Sequence, residues 1–239
     1  MKRGRADNCR MELSAEDRLF VLTGAGISAE SGLATFRGSG GLWNGHRVEE
    51  VATPEAWEAN PELVWRFYSM RRRDAMAAQP NAGHRALAKV EERLGERFYL
   101  CTQNVDDLHE RAGSQRVHHM HGRLFESRCE RCAVPFVDTA LYESVLPMCE
   151  KCGHAVRPHI VWFGEIPLDM DGIYAELDRA TVVLVVGTSG SVYPAAGFVS
   201  IANRRRIRTM YVGPEEPLNA HAFDDIVLGT AAEVLPGLW

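Results

Sequence analysis

Three groups of residues in this chain have types and spacings that suit chemistry. The first is Cys129-x2-Cys132-x16-Cys149-x2-Cys152. Two such knuckles can set four thiolates tetrahedrally around Zn²⁺. Four thiolates fill the coordination shell and leave no place for a reacting water, so the metal is expected to be structural. The second is His118-His119-Met120-His121-Gly122. With four cysteines already providing a metal site, an imidazole here reads better as a general base, because it titrates near neutral pH. At least one of the three histidines reads as merely packed or exposed. The third is the run from Thr102 through Gln103, Asn104, Val105, Asp106, Asp107 and Leu108 to His109. Its amides and carboxylates can hold ribose hydroxyls, or equally cap a helix through Asn104 or Asp106.

Two glycine-rich stretches add phosphate chemistry. Gly24-Ala25-Gly26-Ile27-Ser28-Ala29 fits GxGxxA directly after an apolar run. Glycines there permit a tight turn and bring backbone N–H groups close to a pyrophosphate. A second loop, Thr35-Phe36-Arg37-Gly38-Ser39-Gly40-Gly41, follows too soon for an ordinary dinucleotide unit and could close over a bound nucleotide. Gly187-Thr188-Ser189 ends another apolar run and offers backbone and hydroxyl donors. Tyr68 and Arg71 stand three apart, so a helix would put them on one face, where they could hold a carboxylate. Taken alone, that pair reads first as a solvated basic face.

The elements that must position these groups are legible as apolar runs. Leu19 to Thr23, Phe98 to Thr102, Thr181 to Val186, Thr209 to Val212 and Asp225 to Leu228 read as buried strands. Pro61 to Met76, His84 to Leu94 and Pro194 to Arg206 carry helical spacing. Strands alternating with helices predict an α/β fold, a Rossmann-like parallel sheet with helices on both faces. Residues 127–154 break the pattern and read as an inserted zinc module. The expected division is a flexible tail over 1–17, a large domain from 18–38, 77–126 and 155–239, and a small zinc-binding and helical domain from 39–76 and 127–154.

Composition excludes several classes. The 239 residues carry a formal charge of -5, which argues against general affinity for nucleic acid or anionic membrane. No uninterrupted apolar window is long enough for a membrane span, and the basic start is followed by no apolar core of a secretory signal. The expected location is therefore cytoplasmic. Cys9 and Cys101 are left over, Cys101 as a buried strand residue. Oligomeric state is not readable from the sequence, and a monomer is the default expectation.

Taken together, the ordered motifs GAGISAESGLATFRG, TQNVDDLH, HG at His121, the four-cysteine module, VWFGE from Val161 to Glu165, and GTS at Gly187 resemble the sirtuins over nearly the whole chain. The resemblance implies an enzyme that uses NAD as co-substrate to remove acyl groups from protein lysines, yielding nicotinamide, O-acyl-ADP-ribose and free lysine. It implies that Gly24, Ala25, Gly26, Glu30, Thr35, Phe36, Arg37 and Trp43 line the NAD site. Gln103, Asn104 and Asp106 would surround the nicotinamide ribose, and Gly187, Thr188, Ser189, Gly213, Pro214, Glu215 and Ala231 would face the rest of the cofactor. His121 takes the general-base position, with Asn104 and Asp106 beside it in the catalytic set, and Phe36 shields the intermediate from water. Val161, Trp162, Phe163 and Gly164 resemble the segment that pairs with the substrate peptide as an added strand. Ala52 with Tyr68 and Arg71 resembles the class III branch, linked to desuccinylation and demalonylation as well as deacetylation. One departure stands out: Gly213-Pro214-Glu215 occupies the place where the family usually carries an asparagine contacting the adenosine ribose. Two other readings of the same residues are mono-ADP-ribosyl transfer and a non-catalytic zinc-module scaffold.

Overall fold

A computed structural model describes the backbone of residues 2–5 together with residues 10–35, 43 and 45–239. The expected positions Phe36 and Arg37 lie outside the described residues.

Among the described residues ten strands run β1 Lys2–Arg5, β2 Leu19–Thr23, β3 Phe98–Thr102, β4 Val117–His119, β5 Gly122–Cys129, β6 Pro135–Val137, β7 Val156–Ile160, β8 Val182–Val186, β9 Arg208–Gly213 and β10 Asp225–Leu228. The helices are α1 Val48–Val51, α2 Pro54–Ala59, α3 Pro61–Ala77, α4 Ala82–Leu94, α5 Leu108–Arg111, α6 Met170–Arg179, α7 Phe198–Arg204 and α8 Ala231–Val234. Seven strands form one parallel sheet in the order β1-β10-β9-β8-β2-β3-β4.

The LFVLT run of β2 is apolar at every position save its last because both faces of the sheet are covered. Leu19 and Val21 pack with Leu87 and Val90 of α4, while Phe20 and Leu22 pack with Leu177 of α6 and Phe198 of α7. The five strands read from the sequence are present within a residue at either end. The segment expected as one helix from Pro194 to Arg206 is a 3-10 turn at Ala195–Gly197 followed by α7. Part of the expected tail is also engaged: Lys2–Arg5 pairs with β10, and Met11 is buried with its N–H donating to Leu238 O at 2.6 Å.

A second, antiparallel sheet has the order β6-β5-β7. It packs against α1 to α3 through a core of its own, in which Val51, Trp65, Phe67 and Tyr68 meet Leu124, Val156, Ile160 and Trp162. The antiparallel sheet takes in residues 122–126 through β5 and 156–160 through β7, which the expected division places in the large domain. Asn60 caps α3, its side chain accepting from Leu63 N–H, with Pro61 at the first helical position.

Arg72 of α3 fastens the two halves of the small unit. Its side chain is fully buried and donates to Leu124 O at 2.8 Å, Ala140 O at 2.6 Å, Ser127 Oγ at 3.0 Å and Asp138 Oδ2 at 3.3 Å. A buried cation needs such a full set of acceptors, because removing one partner of a buried pair costs about 3–5 kcal/mol.

Candidate active site

The loops after β2 and β8 bind each other directly. Gly24 N–H donates to Val186 O at 2.9 Å and Gly26 N–H to Gly187 O at 2.8 Å. A Cβ on Gly26 would lie 2.7 Å from Gly187 Cα, so the approach requires glycine. This contact floors a cavity of ≈ 460 Å³ at the carboxyl ends of the parallel strands, where ligands bind in open α/β sheets. Gly24, Ala25, Gly26, Thr35, Gly187, Thr188, Ser189, Pro214 and Glu215 line it on the sheet side.

Gln103, Asn104 and Asp106 follow β3 into the same cavity. Gln103 Nε2 donates to Thr188 Oγ1 at 3.2 Å. Asn104 Nδ2 donates to Gly24 O and to Ser28 Oγ, each at 3.2 Å. Ser28 in turn donates to Asp106 Oδ2 at 3.1 Å, and Leu108 N–H reaches Asp106 Oδ1 at 3.1 Å. Burial pushes the Asp106 carboxyl above its ordinary range, against those hydrogen bonds. Asp106 thus lines the wall and accepts from the first residue of α5, whereas the N-cap position expected at Asn104 or Asp106 falls on Asp107. Ser28 and its neighbour His84, 3.4 Å away, were not singled out from the sequence. Ser28 was visible inside the glycine motif, whereas nothing local marks His84.

The histidine run separates by role. His118 Nε2 sits 3.3 Å from Leu168 O, and His119 is buried between Asn104 O at 2.9 Å and Glu110 Oε1 at 2.8 Å. Only His121 lines the cavity. Its Nδ1 lies 3.0 Å from Gln103 O. A carbonyl can only accept, so Nδ1 carries the proton and Nε2 keeps its lone pair. Burial holds the His121 pKa below the ordinary imidazole value. The next residue, Gly122, has φ +82 and lies so close to His159 O that a Cβ would collide with it. Both constraints fix where the imidazole stands.

At the other wall Ala52, Tyr68, Arg71, Trp43 and Trp162 converge. Tyr68 is fully buried, and burial pushes its hydroxyl up to about 12. Trp162 Nε1 donates to that hydroxyl at 3.1 Å. Indole N–H is a donor only, so the phenol oxygen accepts there and its own hydrogen is left for the cavity. The Arg71 guanidinium carbon lies 4.4 Å from the centre of the Trp43 ring. Arg71 Nε is buried with no hydrogen-bond partner among the described residues. Burial lowers the Arg71 pKa from its ordinary value, with Tyr68, Asp106 and Asp74 opposing. Val161, Trp162, Phe163 and Gly164 form the rim. Val161 N–H donates to His121 O at 2.9 Å and Phe163 N–H to Ala52 O at 3.0 Å, which ties the rim to both walls.

Three expected cofactor residues are not brought to the cavity wall. Glu30 lies on the surface, its carboxylate accepting from Ala232 N–H at 3.1 Å. Ala231 is buried against Gly83 at the start of α8. Gly213 ends one residue short of the lining residue Pro214.

The four cysteine Sγ atoms lie within 4.8 Å of one another. Individual separations are 3.4 Å for Cys129–Cys152, 3.5 Å for Cys132–Cys152 and 4.0 Å for Cys132–Cys149. Tetrahedral Zn–S bonds of about 2.3 Å imply sulfur separations of roughly 3.8 Å. The donor set fits one structural zinc ion, with no ligand position left over.

A parallel sheet with a cavity on its carboxyl edge, walled on the far side by α3 and the segment after β7, beside a four-cysteine cluster, defines a Rossmann-like, nucleotide-using class with a structural zinc. The Sir2 family profile matches residues 24–194. The chain is 51% identical over 224 residues to the NAD-dependent protein deacylase of Caulobacter vibrioides, covering 92% of this chain and 94% of that one. It is 48% identical over 231 residues to the NAD-dependent protein deacylase of Escherichia coli (strain K12), covering 94% and 82%. Among solved structures, a Sir2 homolog–NAD complex superposes with a TM-score of 0.85 at 41% identity, covering 97% of this chain and 94% of that one. An ADP-ribose complex of a Sir2 homologue mutant gives 0.87 at 44% identity, covering 94% and 91%. The chain belongs to the Sir2 family.

Proposed function

We propose that this chain is an NAD-dependent protein-lysine deacylase that takes acetyl-lysine and favours lysines bearing short acidic acyl groups, succinyl and malonyl. The family membership, the deacylase relatives and the NAD and ADP-ribose complexes of similar structures support the NAD-dependent activity. The observation that carries the acyl preference is the pair Tyr68 and Arg71. One is a buried hydroxyl that accepts from Trp162 and so can donate its own hydrogen to a ligand, the other a buried cation whose Nε has no hydrogen-bond partner among the described residues, and both face one cavity beside the small Ala52.

NAD, when bound, supplies the ADP-ribose that receives the acyl group. Gly24 to Gly26 with Gly187 and Thr188 would hold its phosphates and sugars, and Gln103, Asn104 and Asp106 the reacting ribose. The His121 Nε2 lone pair would accept a proton from a sugar hydroxyl of the bound nucleotide, and the carbonyl of Gln103 would steady the resulting imidazolium. Asn104 and Asp106 keep their orientation through Ser28. The rim segment Val161–Gly164 would pair with the backbone of the acylated peptide. The acyl carboxylate would accept from Tyr68 and Arg71, a charge-assisted contact of about 1.5–3 kcal/mol.

The test compares kcat/KM on one peptide bearing acetyl-lysine or succinyl-lysine, with NAD, following nicotinamide release and peptide mass. A succinyl preference that disappears in Arg71→Met supports the clamp. Equal or better acetyl turnover in the unmodified chain refutes the acidic preference. Nicotinamide release with ADP-ribose left on the peptide would favour mono-ADP-ribosyl transfer instead.

A further inference from the structure

We infer that the Tyr211 hydroxyl contacts the adenosine-side ribose of the dinucleotide, in place of any side chain at position 213; the inference rests on the NAD reading above. Along β9 the side chains alternate. Met210 and Val212 enter one core cluster, and Tyr211 enters the other, its ring 5.5 Å from Phe223. Although Tyr211 is only 3% exposed, it reaches the cavity wall next to Thr188 and Pro214.

Two observations give that tip a role. The hydroxyl donates its hydrogen to Thr188 O at 3.2 Å. Toward a ligand the phenol oxygen is therefore an acceptor, which suits a sugar O–H and repels a phosphate. A Cβ at Gly213 would also run into that same hydroxyl. A side chain at 213 would therefore push the Tyr211 tip away from Thr188, so the glycine lets the hydroxyl stand where it does.

The sheet order sets which half of the ligand lies here. His121, Asn104 and Asp106 follow β4 and β3, on one side of β2, whereas Tyr211 and Pro214 come at the end of β9, on the other. A dinucleotide with its pyrophosphate at the glycine loop after β2 and its reacting ribose beside His121 extends its other nucleoside toward β8 and β9.

The experiment is calorimetric titration of the full, zinc-loaded chain with ADP-ribose and with its analogues lacking the adenosine 2′- or 3′-hydroxyl. Tyr211→Phe should weaken ADP-ribose binding about 2- to 10-fold. That loss should vanish for one of the two deoxy analogues, because both changes remove the same bond. An equal loss on all three ligands would make Tyr211 a mere support for Thr188 and overturn the inference, as would no loss at all. If the variant does not fold, the unmodified chain still decides: indifference to both missing hydroxyls overturns the inference, and weaker binding of one analogue upholds it. Failure of the unmodified chain to bind ADP-ribose at all would instead refute the NAD reading.

Discussion

Trp162 and Tyr68 are 94 residues apart in the chain, and the indole N–H of one donates to the phenol oxygen of the other at 3.1 Å. That single bond decides which way the tyrosine hydrogen points. The Trp162 ring is itself held from behind, with the Arg157 guanidinium 3.3 Å from its centre and Glu165 pairing with Arg157 at 2.8 Å and 2.9 Å. Trp162→Phe removes the donor and keeps the bulk. The succinyl-over-acetyl ratio of kcat/KM should fall about 2- to 10-fold, the worth of one directed hydrogen bond. An unchanged ratio would mean that Tyr68 needs no orienting partner.

Arg71→Met should lower kcat/KM for the succinyl peptide roughly 10- to 150-fold. Acetyl turnover should fall much less, since an acetyl group carries nothing for a guanidinium to hold. A parallel loss on both peptides would show that Arg71 supports the pocket rather than reading the acyl group.

The pH profile follows from His121. Burial depresses its pKa below 6.5, and the neutral form is the one that accepts a proton. Activity is therefore full above the depressed pKa and is lost as pH falls through it. The acid limb of kcat/KM should sit below 6.5 and should be absent from the residual rate of His121→Ala. A limb above 6.5 contradicts the assignment.

The zinc module is expected to contribute stability and no chemistry. Chelation, or Cys149→Ser, should lower the unfolding midpoint by roughly 5–10 °C, with close to one zinc per chain lost on chelation. Replacing zinc with cobalt should leave turnover per folded molecule unchanged. A turnover rate that follows the identity of the metal would place the ion in the reaction.

Gly26→Ala tests the contact between the two phosphate-side loops. Its Cβ would meet backbone, not a movable side chain. Overpacking of this kind costs about 1–3 kcal/mol, so the midpoint should drop by roughly 2–12 °C, and ADP-ribose binding should weaken with it.

Much of this was legible in the sequence because the signals were local. An apolar run such as LFVLT betrays a strand covered on both faces, and paired CxxC knuckles state their own chemistry. The FYSMRRR segment shows where locality stops. Tyr68 and Arg71, taken alone, read first as part of a solvated basic face, yet Arg71 enters the cavity, Arg72 is fully buried against the cysteine module, and Arg73 pairs with Glu143 at the surface. Each helical residue turns about 100°, so the three point to three environments that only packing can assign. The partnership of Trp162 with Tyr68, and of Ser28 with Asp106, was hidden for the same reason: each joins segments that sequence order keeps apart.

Neighbouring arginines on α3 thus divide an unusual task. Arg72 rivets the helix to the antiparallel sheet of the cysteine module, so the reach of Arg71 into the cavity is gauged from that sheet and not from the glycine floor. A chain shortened or lengthened by one residue between Tyr68 and Arg72 would therefore bring the wrong arginine to the cavity and leave the buried acceptors around Leu124 and Asp138 without their cation.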